Sequence, residues 1–273
     1  MMEISRSKAQ QEAPSDGLVP FFLLACLFTW SLAIPPALAW MRHEAPSPLA
    51  VACAGLSALG PLVATLLVAG PRRQLRAVFG RFRTHVRWVA LALCAPIAIH
   101  LVATLLFVAL GGQPEAWFHP PRNAEHFAAL LVFPLGEEFG WRGFAHAPMV
   151  RRFGAVRGSL LLGAVWGLWH LAYSITPSAA GFDAFTFAQT MIELPLYALP
   201  IAWVFERSGR SMAVALAFHA GAHLDHIERA SGAARGLHAL HIVVLAVVAL
   251  FAARALAARP AVRQSTLGGR ATR

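Results

Sequence analysis

Long apolar blocks constrain this chain more than any other feature. Each has about the 20 residues that a helix needs to cross the hydrocarbon core of a bilayer. The chain is 58% hydrophobic and only 13% charged, whereas soluble domains carry roughly 25% charged residues. We therefore predict an all-α polytopic membrane protein with about eight transmembrane helices. The predicted spans are residues 18–40, 49–69, 88–110, 124–149, 158–174, 185–206, 211–228 and 237–256.

The remaining segments are short and polar or amphipathic. Residues 1–17 and 258–273 are predicted to be cytoplasmic tails of a single transmembrane domain at 18–257. Residues 71–87 mix Arg with apolar residues at helical spacing, which predicts a segment on the membrane surface. The Ala-Leu-Ala at 37–39 resembles a signal-peptidase site. The apolar run before it is long and acids precede that run, so we expect an uncleaved span.

The distribution of basic residues predicts the orientation. The net charge is +10, and Lys8 is the only lysine, a bias typical of GC-rich bacterial genomes. With the N-terminus inside, 19 basic residues face the cytoplasm and four face outside, or 18 and four without Arg142. This bias predicts a bacterial inner-membrane protein with both termini inside. The basic residues form no aromatic-interleaved patch, so the predicted partner is the lipid bilayer and not a nucleic acid.

Two adjacent carboxylates lie inside an apolar block. A charge at mid-membrane costs about 2.5–3.5 kcal/mol, which makes such residues functional candidates. Glu138 and Arg142 are spaced i, i+4 and can pair on one helix face. Glu137 points about 100° away and is a candidate general base. The structural alternative is a Glu–Arg pair with Glu137 reaching water.

Histidines occur in two further apolar blocks. His170 follows Trp166 at i, i+4, and His219 shares a helix face with His223. Each could be a hydrogen-bonded contact between helices. Together with the glutamate pair, the histidines suffice for a hydrolase, because they can provide a base, a water-positioning group and oxyanion donors.

Three known classes of intramembrane protease do not fit. No H-E-x-x-H motif occurs, which excludes the zincin pattern. None of the three aspartates lies in the setting of a membrane aspartyl protease. The sequence Gly-Leu-Ser-Ala at 55–58 lacks the last glycine of the rhomboid pattern, and we interpret Ser57 as a packing residue.

In their order along the chain, these clusters resemble the CPBP family, the CAAX-protease and bacteriocin-processing intramembrane proteases, also called Abi or Rce1-like. The family patterns are E-E-x-x-x-R, F-x-x-x-H and H-x-x-x-N. The positions that match are Glu137, Glu138 and Arg142, then His170, then His219. Trp166 replaces the Phe, and His223 replaces the Asn. The resemblance covers about residues 85–255.

The resemblance implies a CAAX-protease-like bundle of eight helices, with a polar cavity that opens toward the cytoplasm. It implies hydrolysis of a peptide bond in a membrane-associated protein or peptide. We expect Glu137 and His170 to activate a water molecule and His219 with His223 to bind the oxyanion. Arg142 would anchor Glu138.

Other interpretations stay open. No cofactor is assigned, but zinc held through His170 and His219 is the alternative, and it would need a third protein ligand. A second alternative is a non-proteolytic immunity or partner-binding protein that keeps the fold. A third is a transporter or proton relay, for which inverted repeats would be expected. We see none in the sequence.

The orientation can be tested by cysteine labelling. Cysteines introduced at 71–87 and at 111–123, in a background without Cys26, Cys53 and Cys94, should react with an impermeant reagent from opposite sides. The basic bias requires this result. Labelling of both segments from one side would contradict the predicted topology.

Overall fold

The structure is a computed structural model that describes residues 17–70, 80–114, 116–117, 124–176, 181–224 and 232–258. Ten α-helices form within these ranges. They are α1 (Leu18–Met41), α2 (Pro48–Ser57), α3 (Gly60–Ala69), α4 (Val86–Ala109), α5 (Ala124–Gly140), α6 (His146–Phe153), α7 (Ala155–Trp169), α8 (Ala184–Arg207), α9 (Met212–Leu224) and α10 (Gly232–Ala257). A short hairpin pairs β1 (Ile175–Thr176) with β2 (Gly181–Phe182).

Several helices are long and apolar enough to cross a membrane. Within the described ranges there are four, namely α1, α4, α8 and α10, and the bent pair α2–α3 makes five if it counts as one span. The predicted all-α polytopic class is confirmed. The count of eight stays a prediction, because α9 has only 13 residues, fewer than a crossing needs. Residues 1–16, 71–79 and 259–273, which hold most of the predicted tails and surface segment, lie outside the described ranges.

The second predicted span is broken in the middle. Helices α2 and α3 meet at an angle of 60°, and Pro61 lies in the first turn of α3, where its missing N–H costs no helical hydrogen bond. The joint packs directly on α5, because a Cβ atom on Gly136 would lie 2.6 Å from the carbonyl oxygen of Ala58. Gly140, one turn later, packs as closely on Pro61. These glycines let α5 approach the break backbone to backbone.

The fourth predicted span changes its winding immediately after the glutamate pair. Helix α5 ends at Gly140, a π-helical turn covers Trp141–Ala145, and α6 continues from His146. Such π-turns are rare and often occur at functional sites. Every residue of the turn is buried, including Arg142.

Close packing of α7 on α8 fixes the helix that carries His170. A Cβ atom on Gly163 would lie 2.6 Å from Cα of Pro195 and 2.7 Å from the carbonyl oxygen of Leu194. Backbone atoms cannot move aside as the end of a flexible side chain can. The glycine therefore sets the distance between the two helices.

Replacing Gly163 tests this packing. Gly163→Ala should destabilise the protein by about 1–3 kcal/mol through overpacking, seen as a lower unfolding temperature in detergent. Gly55→Ala is the control, because a Cβ atom there has no neighbour within 4 Å, and the gain in helix propensity should keep or raise stability. Equal melting temperatures for the two variants would contradict the packing described.

Candidate active site

A buried ion pair forms the centre of the site. Arg142 Nη1 donates to Glu138 Oε1 at 2.8 Å, and His219 Nδ1 lies 2.9 Å from the same oxygen. The side chains of Glu138 and Arg142 are 0% and 2% exposed, which leaves them no access to bulk water. Arg142 comes from the π-turn after α5 and His219 from α9. The contact between Glu138 and His219 thus connects α5 with α9 across 81 positions of sequence.

Glu137 projects away from this pair into a separate polar contact. The indole Nε1 of Trp166, on α7, donates to Glu137 Oε2 at 2.6 Å. The other carboxylate oxygen, Oε1, lies 4.0 Å from His219 Nε2. That separation is too long for a direct hydrogen bond. A reacting oxygen atom between these two groups would be within reach of both.

Trp166 contacts most of the other members of the site. The guanidinium of Arg142 lies over its ring, 4.7 Å from the centroid, and the ring of His219 lies 5.3 Å away. Its carbonyl oxygen lies 2.9 Å from His170 Nδ1. The sequence marked Trp166 only as a replacement for Phe. Its hydrogen bond to Glu137 was missed, because no local spacing links residues that are 29 positions apart.

His170 lies where α7 tightens into a 3₁₀ turn, His170–Ser174. A carbonyl oxygen can only accept, so the contact with Trp166 places a proton on Nδ1 of His170. In the neutral ring, Nε2 is then an acceptor. This tautomer suits a group that orients or deprotonates water.

His223 stacks on His219. The two ring centroids are 5.0 Å apart and the planes differ by 15°, as the i, i+4 spacing predicts. Its other side faces the ring of Phe133 on α5, at 6.2 Å. The position where the family pattern has Asn is therefore beside the site and within the bundle.

A chain of hydrogen bonds holds the end of α7 against α1 and the α2–α3 break. Trp169 Nε1 donates to Thr29 Oγ1 at 2.7 Å, and Thr29 Oγ1 donates to the carbonyl oxygen of Ser57 at 2.8 Å. The Ser57 hydroxyl lies 2.7 Å from Tyr173 OH. Ser57 is buried, in agreement with its interpretation as a packing residue, and it also binds the residue three positions after His170.

A second buried polar group lies between α8 and α10. Glu193 Oε1 lies 3.7 Å from His241 Nδ1 and 4.0 Å from His238 Nε2, and Tyr197 OH lies 3.1 Å from His241 Nε2. No motif predicted this group. Its members lie on two apolar helices, α8 and α10.

The described donors near the glutamate pair can be compared with the ligand set that zinc needs. Within the described ranges, no three His, Cys, Asp or Glu side chains are arranged to hold a metal ion. His219 directs Nδ1 to Glu138, and His170 directs Nδ1 to a carbonyl oxygen. The zinc alternative through His170 and His219 therefore lacks a third ligand in this arrangement.

The structure brings the six predicted residues into one region. Glu138, Arg142 and His219 are in direct contact, Glu137 and His170 join them through Trp166, and His223 stacks on His219. Their catalytic roles stay a prediction.

Comparison with known proteins matches this region. A family model described as "Type II CAAX prenyl endopeptidase Rce1-like" matches residues 123–224, which contain all six residues. A curated relative, "CAAX prenyl protease 2" of Methanococcus maripaludis, is 29% identical over 97 residues. The match covers 33% of this chain and 35% of that protein, about a third of the relative's length. Residues 123–224 are thus similar to the Rce1-like family.

Proposed function

We propose that the protein is an intramembrane endopeptidase that hydrolyses a peptide bond of a membrane-associated protein or peptide. The observation that carries the proposal is the placement of Glu137. Its carboxylate is buried, one oxygen accepts from Trp166, and the other lies 4.0 Å from His219. A buried, oriented carboxylate can deprotonate a water molecule, and the imidazole across the gap is placed to donate to the oxyanion that forms.

The reaction begins with a water molecule beside Glu137 and His170. Glu137 takes its proton, and the hydroxide attacks the carbonyl carbon of the substrate, which leaves an oxyanion on the tetrahedral intermediate. His219 and His223 stabilise that oxyanion; one such donor contributes about 2.7–4 kcal/mol. The C–N bond then breaks, and the leaving amine takes the proton from Glu137. The carboxylic acid product then passes its own proton to the amine, which leaves a carboxylate and an ammonium group.

The role of His219 depends on the proton count of its pair with Glu138. When Nδ1–H donates to an ionised Glu138, the neutral ring has no proton on Nε2, which faces Glu137. Nε2 becomes a donor when the pair holds one more proton, on either the ring or the carboxyl group. Arg142 neutralises the carboxylate and holds it in place in either state.

The proposal includes the site's orientation and substrate class. With both termini in the cytoplasm, Glu137 and Glu138 lie toward the cytoplasmic end of α5, so the substrate would come from that side. The matched relative is named a CAAX prenyl protease. We propose the broader class, a membrane-associated protein or peptide, for this chain.

The direct test is a peptidase assay on purified protein with a peptide library. Glu137→Ala should abolish cleavage, because it removes the base, and should leave the protein folded. Wild-type activity should survive a chelator, because no third ligand within the described residues accompanies His170 and His219. Cleavage by the Glu137→Ala variant, or none by wild type on any peptide, would reject the proposal.

Trp166→Phe tests the hydrogen bond to Glu137. The variant keeps an aromatic ring but loses a bond to a charged group, worth about 1.5–3 kcal/mol. We expect kcat to fall about 10- to 100-fold with KM nearly unchanged. Trp203→Phe is the control, because the Trp203 indole nitrogen has no hydrogen-bond partner within the described ranges. Equal kcat values for the two variants would contradict this role.

His223 can be tested by comparing two substitutions. If it donates to the oxyanion, His223→Asn should retain most activity, because both side chains can donate one hydrogen bond. His223→Leu should lose about 10²–10³-fold in kcat. If His223 were instead a zinc ligand, His223→Asn would fail nearly as badly as His223→Leu, and a chelator would abolish wild-type activity. Wild-type rates for both variants would make it a packing residue.

A further inference from the structure

An open apolar groove lies on the side of α7 away from the glutamate pair. It has a volume of about 540 Å³ and is lined by side chains of α1, α6, α7 and α8, a size within the roughly 300–1,000 Å³ of small-molecule pockets. Its walls face outward: Leu161 and Leu168 are each 44% exposed. The groove is thus accessible from the lipid phase.

The groove runs along α7. Arg152 and Phe153, at the end of α6, line its mouth, and Leu161, Val165 and Leu168 follow in order along α7. From the start of α7 to Leu168 the helix rises about 20 Å, at 1.5 Å per residue. One leaflet of hydrocarbon is about 15 Å thick, half of a bilayer core. The groove therefore has room for a hydrocarbon chain along one leaflet.

The positive charge of the groove lies at its mouth. Arg152 is the one charged side chain among the described lining residues. Exposed Arg151 and Arg157 lie within five residues of it along the chain, and residues 141–170 contain no Asp or Glu. Gly154, with φ of +79°, makes the turn that joins the two helices carrying these arginines. An anionic headgroup at the mouth would complement this charge.

We infer that the groove binds one anionic phospholipid of the cytoplasmic leaflet, with its phosphate at Arg152 and an acyl chain along α7. The cytoplasmic leaflet follows from the predicted topology, which places α6 inside. Anionic lipids on that side attract basic residues near the surface. Val165 and Leu168 lie on α7 beside Trp166 and just before His170. The lipid would therefore support α7 from its outer face.

The test uses native mass spectrometry of the full chain, released from nanodiscs that contain phosphatidylglycerol and phosphatidylcholine with identical acyl chains. Wild type should retain phosphatidylglycerol about fivefold more than phosphatidylcholine, the ratio that corresponds to about 1 kcal/mol per arginine. Arg152→Gln should remove this preference. Arg207→Gln is the matched control, because it removes a charge from the end of α8, outside the groove, and should leave the preference intact.

A second pair of variants tests the chain's location. Ala164→Phe fills the groove and should lower retention of both lipids, whereas Ala98→Phe, on an exposed position of α4, should not. Equal retention of the two lipids by wild type would overturn the inference, as would equal loss from Arg207→Gln and Arg152→Gln. Full retention by Ala164→Phe, or displacement of the lipid by a farnesylated peptide, would overturn it as well. None of these readouts depends on peptidase activity.

Discussion

The buried Glu138–Arg142 pair is the constraint on which the rest of the site depends. Two charges without access to water are tolerated only when they neutralise each other and their remaining hydrogen-bonding groups find partners. The 2.8 Å contact to Arg142 and the 2.9 Å contact from His219 meet this need on Oε1 of Glu138, whereas the buried Oε2 has no hydrogen-bond partner among the described residues. Removing one partner of such a pair typically costs 3–5 kcal/mol. The sequence around the pair is therefore restricted by stability as well as by chemistry.

The packing around this pair excludes water from it and fixes the positions of the helices that carry it. Gly136 and Gly140 let α5 lie against the α2–α3 break, and Gly221 lets α9 lie directly against the backbone of α4 at Leu93. Helices in a bilayer gain little from hydrophobic burial against each other, so close backbone approach and polar contacts hold them together. The Glu193–His241–Tyr197 contacts likewise hold α8 and α10 together.

Local spacing explains which parts of the site the sequence could predict. The contacts between Glu138 and Arg142 and between His219 and His223 follow from i, i+4 geometry on a single helix. The bonds from Trp166 to Glu137 and from Thr29 to Ser57 cross between helices, and no periodicity encodes them. The break in the second span could not be predicted from the sequence, for a different reason. An apolar run of the right length looks the same whether it is straight or bent at Gly60-Pro61.

The different chemical roles proposed for Glu137 and Glu138 follow from their hydrogen-bond partners. Glu138 receives Arg142 and His219 on one oxygen, so its position is determined by two other segments. Glu137 receives a neutral donor, Trp166, whereas the hydrogen bond of Arg142 within the described residues goes to Glu138. A carboxylate bonded to a cation is a weaker base than one bonded to an indole. Adjacent residues on one helix thereby acquire different chemistry, and the face that each presents decides which one can take a proton from water.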